Sequence, residues 1–196
     1  MMADDNDKKS DEQQGPHLGR ELLKARTVLL FGPIEPKATK TVIAQILALN
    51  RMDEEKPIRL YVNSPGGVAD DGFAIYDVMR YISAPVMTIC TGLAASAATI
   101  VMIGAKKEMR FALPNSRIML HQPSQGARGT ASDIAITARE IIRLREKANE
   151  IFARETGHPV EKIEKDMHRD FWMTAEEAVE YGLVGKIVPS ESDLPQ

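Results

Sequence analysis

Ser96 is surrounded by very small residues in the segment 91–98, TGLAASAA. Small neighbours leave room for a substrate carbonyl to reach both the Ser96 hydroxyl and nearby backbone amides. The pattern predicts a strand-to-helix junction, and the free N–H groups and dipole at a helix start favour developing negative charge. Ser96 is therefore a candidate nucleophile. Close packing of helices is an alternative reason for the small residues, and the local sequence does not decide between the two.

The turn Ser64-Pro65-Gly66-Gly67 is a candidate oxyanion site. It follows a predicted strand and precedes a predicted helix. Glycines permit backbone amides to turn toward a ligand oxygen without a side chain in the way. A simple tight turn accounts for the same residues equally well. The sequence contains neither a GxGxxG dinucleotide fingerprint nor a GxxxxGK[ST] phosphate loop.

His121 is the candidate general base among the four histidines. It follows the apolar run 118–120 and precedes a polar turn, and a strand end is a rigid position that still faces a cleft. His17 lies near the N-terminus, while His158 and His168 lie in charged helical surroundings, where solvent exposure is expected. Because no HExxH motif or cysteine pair is present, we expect no metal and no cofactor.

A carboxylate that orients the imidazole is the third group that such chemistry needs. Several aspartates are available, and their spacing does not choose among them. They are Asp70, Asp71, Asp133, Asp166 and Asp170. The last of these precedes the apolar run 171–173, which predicts a partly buried carboxylate of the kind that holds a histidine tautomer well. A helix cap or a surface ion pair is an equally suitable role for it.

Strands and amphipathic helices alternate along the chain, which predicts an α/β fold that positions these groups. Apolar runs predict strands over 27–31, 58–62, 86–90, 110–112, 117–120 and 184–188. Helical periodicity first appears at Val42, Ile43, Ile46 and Leu47, and then at Ile75, Val78, Met79 and Ile82. A small-residue helix that ends near Gly104 follows Ser96.

The longest predicted helix covers about 131–155, and its length favours protrusion or packing against another subunit. Its apolar stripe consists of Ile134, Ala138, Ile141, Ala148, Ile151 and Phe152. Gly157 is predicted to end it, because glycine readily adopts the left-handed conformation of a helix C-terminus. A short helix from Pro159 and a helix over 174–181 complete the pattern.

The composition indicates one folded domain: 43% of the 196 residues are hydrophobic and 27% are charged. A net charge of −3 and only 5% aromatic residues predict no nucleic-acid partner. Residues 1–16 are polar and acidic and are predicted to form a flexible tail. Residues 191–196 are predicted to be a short C-terminal tail.

Features of the sequence also favour a cytoplasmic protein with no membrane partner. Cys90 is the single cysteine and lies in an apolar run, so we expect it to pack as a small hydrophobic residue. The N-terminus is acidic where a signal peptide would be basic and then apolar. The longest apolar stretch, about 93–105, is too short to cross a bilayer.

Four segments resemble the proteolytic subunit of the Clp protease, in the same order. They are YVNSPGG (61–67), TGLAASAATIVMIGA (91–105), LPNSRIMLHQP (113–123) and RDFWMTAEEAVEYGLV (169–184). The resemblance extends over about 22–188 and implies a Clp-type serine endopeptidase. It implies that Ser96 is the nucleophile, His121 the general base and Asp170 the orienting carboxylate. It further implies an oxyanion hole formed by the backbone amides of Gly67 and Ala97.

The resemblance also implies the architecture and assembly of the ClpP family. The expected fold is the ClpP/crotonase-like ββα spiral over 17–190, with a protruding handle at about 122–155. Two stacked heptameric rings would enclose the active sites. The handle backbone would bind substrate peptide as an added strand, through Gln122, Ser124, Gln125 and Gly126. Arg169 would make an inter-ring contact, and His168 stands where the family usually has an acidic residue.

The resemblance further implies partners. The chain would form a homo-oligomer of 14 subunits, which itself binds no ATP. An AAA+ unfoldase such as a Clp ATPase would deliver unfolded polypeptide to it. The segment LLKAR (22–26) follows the acidic tail, where family members have a hydrophobic stretch containing Gly and Arg that forms axial pore loops. We therefore expect pore gating and docking to differ, and a paralogous ClpP subunit in a mixed ring is a further candidate partner.

Two other functions compete with a serine peptidase. A crotonase-type acyl-CoA hydratase or hydrolase would use the same pair of amides on a thioester carbonyl. Such an enzyme typically needs an acidic residue near the site and does not use a serine–histidine pair. A non-catalytic subunit of a mixed ring is suggested by the unusual N-terminus, although all three triad positions are filled.

Overall fold

The computed structural model describes residues 17–124 and 126–195 as an α/β fold with a mostly parallel sheet. The strands are β1 (Thr27–Phe31), β2 (Ile58–Ser64), β3 (Val86–Ala95), β4 (Arg110–Ala112), β5 (Arg117–Leu120), β6 (Phe171–Thr174) and β7 (Lys186–Ile187). The order β1-β2-β3-β4-β7 is parallel throughout. Strand β5 pairs in parallel with the second half of β3, and β6 pairs antiparallel with β5. The α/β prediction is confirmed.

Helices connect the strands, as parallel pairing requires. They are α1, whose described part covers 17–24, α2 (Pro36–Met52), α3 (Ala69–Tyr81), α4 (Ala97–Met102), α5 (Ala131–Thr156), α6 (Val160–Asp166) and α7 (Ala175–Glu180). The predicted acidic tail 1–16 lies outside the described residues. The predicted C-terminal tail begins with a 3₁₀ turn at Glu191–Asp193 and buries Leu194, which is 7% exposed.

The alternation of side chains along the strands separates two apolar clusters. Ile58, Leu60 and Val62 of β2 point toward the helices and join the main core. On the opposite face, Met87 and Ile89 of β3 form a smaller cluster with residues from β4 and the C-terminal segment. Strand β3 is therefore buried on both faces, which makes it a rigid support for the residue that follows it.

Four sequence predictions of local structure are wrong in detail. The predicted strand 184–188 is reduced to β7 at Lys186–Ile187, because its partner β4 pairs with it only through Phe111 and Ala112. Strand β3 continues five residues beyond Cys90, because its second half has a partner of its own in β5. Strand β6 was not predicted from the pattern. In α2 the buried positions are Thr39, Val42, Ile46 and Leu49. Leu47 is 39% exposed, because it lies just beyond the edge of that helix face.

Helix α5 is packed only along its C-terminal half. Its N-terminal half is exposed, whereas Ala148, Ile151 and Phe152 are buried in the core. Gly157 ends the helix with φ 83° and donates its N–H to the carbonyl of Ala153, as the sequence predicts. The exposed half leaves Ile134 and Ile136 44% and 51% accessible to solvent.

Candidate active site

The sheet register brings Ser96, His121 and Asp170 to one edge. Ser96 directly follows β3, His121 directly follows β5, and Asp170 directly precedes β6. The end of β3 pairs with β5, and the end of β5 pairs with the start of β6 through Leu120 and Phe171. Since β6 runs antiparallel to β5, its first residues lie beside the last residues of β5. Three residues far apart in the chain therefore become neighbours.

The side chains of these residues form a continuous hydrogen-bonded chain. Ser96 Oγ lies 2.8 Å from His121 Nε2. His121 Nδ1 lies 3.3 Å from Asp170 Oδ1. In the imidazole tautomer with its proton on Nδ1, that N–H donates to the carboxylate, and Nε2 accepts from the serine hydroxyl. This arrangement suits removal of a proton from Ser96 by His121.

The backbone at Ser96 adopts a conformation that non-glycine residues rarely occupy, with φ 55° and ψ −126°. The carbonyl of Ser96 is held by two bonds from Thr99, at 2.9 Å from its N–H and 2.5 Å from its hydroxyl. The N–H of Ser96 donates to the Met119 carbonyl at 2.9 Å. A sharp turn of this kind costs free energy, which the surrounding bonds must offset.

Glycines beside Ser96 permit a close approach of two chain segments. A Cβ on Gly66 would lie 2.7 Å from the Ser96 Cβ, and one on Gly67 would lie 2.1 Å from the Ile34 carbonyl oxygen. The Ile34 N–H donates to the Gly66 carbonyl, and the Ile34 carbonyl accepts from the Val68 N–H. In this parallel bridge the N–H of Gly67 itself points away from Ile34. Both positions therefore require glycine.

Gly67 and Ala97 line the same cavity as Ser96. Ala97 is the first residue of α4, so its N–H has no acceptor within the helix. The Gly67 N–H is turned away from its neighbouring strand. Both amides are therefore candidate donors to an oxyanion formed at Ser96.

The cavity has a volume of about 580 Å³ and extends from Ser96 toward α5. Its walls are mostly apolar. They include Ile100 of α4, Leu144 and Phe152 of α5, and Met167 after α6. A space of this size accommodates a large side chain beside the reactive hydroxyl.

The structure separates the candidate carboxylates by their contacts. Asp133 caps α5, and hydrogen bonds from the Thr130 side chain and N–H lower the pKa of its carboxyl. Asp166 accepts from Lys162 and Tyr181; burial raises the pKa of its carboxyl, but these bonds outweigh burial and leave the pKa lowered. Neither contacts His121.

Asp170 contacts His121 but is not buried as the sequence predicted. Its side chain is 62% exposed. The reason is that the run 171–173 forms the edge strand β6, in which Trp172 is 45% exposed and only Met173 is buried. Asp71 is half-buried, and Asp70 lines the cavity.

The remaining predictions for single side chains concern His158, His168 and Cys90. His158 was expected to be solvated, but it is half-buried, because its ring packs edge-on against Tyr181 with centroids 4.5 Å apart. His168 is exposed. Cys90 is fully buried, as predicted, and burial raises the pKa of its thiol to about 11. Cys90 is thus unsuited to act as a nucleophile at neutral pH.

The segment after His121 forms neither helix nor strand over 122–124 and 126–128. Gln122 is held on the loop before Asp170: its N–H donates to the Met167 carbonyl at 2.7 Å, and its Nε2 donates to the His168 carbonyl at 2.9 Å. Ser124 lines the cavity, Gly126 is exposed, and Gln125 lies outside the described residues. The side-chain role of Gln122 was missed, because a backbone carbonyl 46 positions away leaves no sequence signal.

Arg169 is exposed, and within the described ranges 17–124 and 126–195 no ion pair engages it. In the same part of the chain, no group of three or more His, Cys, Asp or Glu side chains is arranged to hold a metal ion. The described helices include none with the length and apolar character needed to cross a membrane.

Comparison with known proteins identifies the family. The sequence matches the family model for Clp protease over residues 10–191. The chain belongs to the Clp protease family. Membership confirms the predicted resemblance and the predicted class, a serine peptidase and thus a hydrolase. It favours that class over the acyl-CoA enzyme considered from the sequence.

Curated relatives agree with the Clp protease assignment over nearly the whole chain. The chain is 45% identical over 191 residues to ATP-dependent Clp protease proteolytic subunit 3 of Rhizobium johnstonii, covering 97% of this chain and 98% of that protein. It is 46% identical over 189 residues to ATP-dependent Clp protease proteolytic subunit 3 of Rhizobium etli, covering 96% of this chain and 97% of that protein. It is 43% identical over 190 residues to ATP-dependent Clp protease proteolytic subunit 2 of Treponema denticola, covering 97% of this chain and 95% of that protein.

Proposed function

We propose that the chain hydrolyses peptide bonds through an acyl-enzyme on Ser96. The observation that carries the proposal is the 2.8 Å separation of Ser96 Oγ and His121 Nε2. Ser96 Oγ attacks the peptide carbonyl carbon while its proton passes to Nε2. That proton then goes to the departing amine as the C–N bond breaks, which leaves an ester on Ser96. Water deprotonated by His121 hydrolyses the ester and restores the hydroxyl.

Asp170 and two backbone amides support these steps. The Asp170 carboxylate accepts from His121 Nδ1–H, which keeps Nε2 free to accept a proton and stabilises the imidazolium that forms. The negative oxygen of the tetrahedral intermediate accepts hydrogen bonds from the N–H groups of Gly67 and Ala97. The cavity that Gly67 and Ala97 share with Ser96 supports that role.

The segment after His121 binds the substrate main chain in this proposal. Ser124 lines the cavity, and neither Ser124 nor Gly126 belongs to a strand. Pairing there recognises backbone and not side chains, so it suits unfolded polypeptides of varied sequence. The N–H of Gln122 is already bonded to Met167, which leaves its carbonyl for substrate.

We also propose the ring assembly that the family resemblance implies: a ββα spiral subunit in two stacked heptamers, with the handle and Arg169 between the rings. The exposed apolar side chains of α5 and the exposed Arg169 support contact with another subunit. An AAA+ unfoldase would supply protein substrates, as the phrase "ATP-dependent" in the relatives' names suggests. A paralogous ClpP subunit and a cytoplasmic location stay predictions.

The proposed chemistry is tested by active-site labelling. A fluorophosphonate probe reacts with an activated serine, so the intact protein should be labelled on the peptide that contains Ser96. Mass spectrometry of the digest identifies that peptide, and a short fluorogenic peptide measures turnover in parallel. Labelling at a different serine would assign the chemistry elsewhere.

The ring proposal predicts that a charge introduced into the handle changes the number of chains in the particle. Native mass spectrometry of the wild type should give species of fourteen chains. Ile136→Asp places a carboxylate on the exposed half of α5 and should shift the population to seven chains, because desolvating a charge between rings is costly. The matched control is Val160→Asp. Val160 is a 40% exposed residue of α6 outside the handle, so this variant should still assemble into particles of fourteen chains. A monomeric wild type would contradict the ring assembly.

Gln122 is expected to act as a positioning residue for Asp170. Gln122→Met keeps the side-chain length and the main-chain bond to Met167 but removes the 2.9 Å bond to the His168 carbonyl. One such bond contributes about 0.5–1.5 kcal/mol, so we expect kcat to fall by roughly three- to tenfold. KM for a short peptide should change little. A lower melting temperature with unchanged kcat would mean that the bond only stabilises the fold.

A further inference from the structure

The cavity beside Ser96 combines apolar walls with one carboxylate. Residues from α4 and α5 supply the apolar surface, including Ile100, Ile141 and Leu144. Among the described residues that line the cavity, Asp70 is the one with an acidic side chain, and none is a lysine or arginine. The charge available to a bound side chain is therefore negative.

The Asp70 carboxylate has no bonding partner among residues 17–124 and 126–195. Asp70 is exposed and lies in the first turn of α3, two residues after Val68, the residue that precedes the helix. Within the described part of the chain, no hydrogen bond or ion pair engages its side chain. Three of the other carboxylates discussed above are committed elsewhere: Asp133 and Asp166 to bonds within the chain, and Asp170 to His121. An unpaired carboxylate at a substrate cavity is available to a cation of the substrate.

Ser96 lies in the same cavity, beside the space in which a substrate side chain would fit. We propose that Asp70 makes this cavity selective for lysine or arginine at the residue whose carbonyl Ser96 attacks, an inference that rests on the proposed peptidase function. The aliphatic stem of lysine or arginine packs along the apolar walls, while its cationic end reaches the exposed carboxylate at the rim. Long basic side chains commonly divide their contacts in this way.

An acidic residue at the start of α3 has a second possible role, because a carboxylate in the first turn stabilises a helix through its dipole. Asp71 occupies the same turn, is half-buried, and is absent from the cavity lining. A role in helix stability applies to both residues and affects all substrates alike. A role in selectivity applies to Asp70 and changes the ratio between substrates.

The test compares two fluorogenic peptides that differ only at the residue before the cleaved bond. One carries lysine and the other norleucine, which has the same four-carbon stem but no ammonium group. The readout is the ratio of kcat/KM for the two peptides, so that a loss of activity common to both cancels. We expect Asp70→Asn to lower the lysine-to-norleucine ratio by about three- to tenfold, as expected for loss of one partly exposed ion pair. Asp71→Asn should keep the wild-type ratio.

Salt provides a second measurement that needs no variant. The wild-type ratio should fall as ionic strength rises, because an exposed ion pair is screened, whereas norleucine cleavage has no such charge contact. An unchanged ratio in Asp70→Asn, or an equal change in Asp71→Asn, would overturn the selectivity assigned to Asp70 while leaving the peptidase proposal intact. Failure of the assembled wild type to cleave either peptide would contradict the peptidase proposal, and the selectivity with it.

Discussion

Ser96→Ala is expected to lower kcat/KM for a short peptide by at least about 10⁴-fold, because it removes the hydroxyl that is bonded to His121 Nε2. Fluorophosphonate labelling should disappear as well. Alanine retains the Cβ of serine, so the unusual backbone at φ 55° is no more strained than before. The bonds from Thr99 to the carbonyl of residue 96 involve only its backbone and should persist. The variant should therefore assemble like the wild type.

The matched control for this variant is Ser83→Ala. Ser83 is exposed, lies before Ala84 in the connection to β3, and is absent from the cavity of Ser96. It should keep wild-type turnover and labelling. Persistent labelling of Ser96→Ala would show that the nucleophile is another residue. A wild type that assembles but hydrolyses peptide only when mixed with a paralogous subunit would favour the non-catalytic role considered from the sequence.

Features with local causes could be predicted from the sequence. The boundaries of β1, β4 and β5 follow from short apolar runs, and the end of α5 follows from the left-handed preference of Gly157. Each depends on residues within a few positions of one another. The burial of Cys90 likewise follows from the apolar run that contains it.

Features that depend on pairing between distant segments could not be predicted in this way. Thr91–Ala95 is rich in small residues that suit a turn or helix start, but it continues β3 because Leu93, Ala94 and Ala95 meet β5. Strand β6 exists because β5 offers it an open edge. The same register is what separates Asp170 from the other aspartates, since spacing along the chain contains no information about which carboxylate lies beside His121.

Glu155 is buried with Arg110 where the last turn of α5 meets β4. The Arg110 side chain is 1% exposed and its Nη2 lies 2.5 Å from Glu155 Oε2. Tyr76 donates its hydroxyl to Glu155 Oε1 at 3.0 Å, and Arg80 forms a second ion pair with it at 3.2 Å. Burial raises the pKa of the Glu155 carboxyl, but the hydrogen bonds from Tyr76 and Arg110 outweigh burial and leave the pKa lowered. These contacts anchor the end of α5 whose buried residues form part of the cavity wall.

Glu155→Ala is expected to lower the free energy of unfolding by about 3–5 kcal/mol, because it leaves the Arg110 charge buried without its carboxylate. Since the folded pKa of Glu155 is lowered, its stabilisation is present at neutral pH and is lost as pH falls through that pKa. The difference in free energy of unfolding between the wild type and Glu155→Ala should therefore become smaller in acid. Chemical denaturation at equal protein concentration over a pH series measures this difference.

Two further variants show whether the ion pair is the cause. Glu150→Ala, at an exposed residue of the same helix, should change stability by about 0.5 kcal/mol or less. Arg110→Met combined with Glu155→Leu removes both charges and should be more stable than Glu155→Ala alone, because no unpaired charge remains buried. If the double variant were the less stable, the main contribution of Arg110 would come from its bonds to the Ile103 and Ala105 carbonyls, which join β4 to the segment after α4.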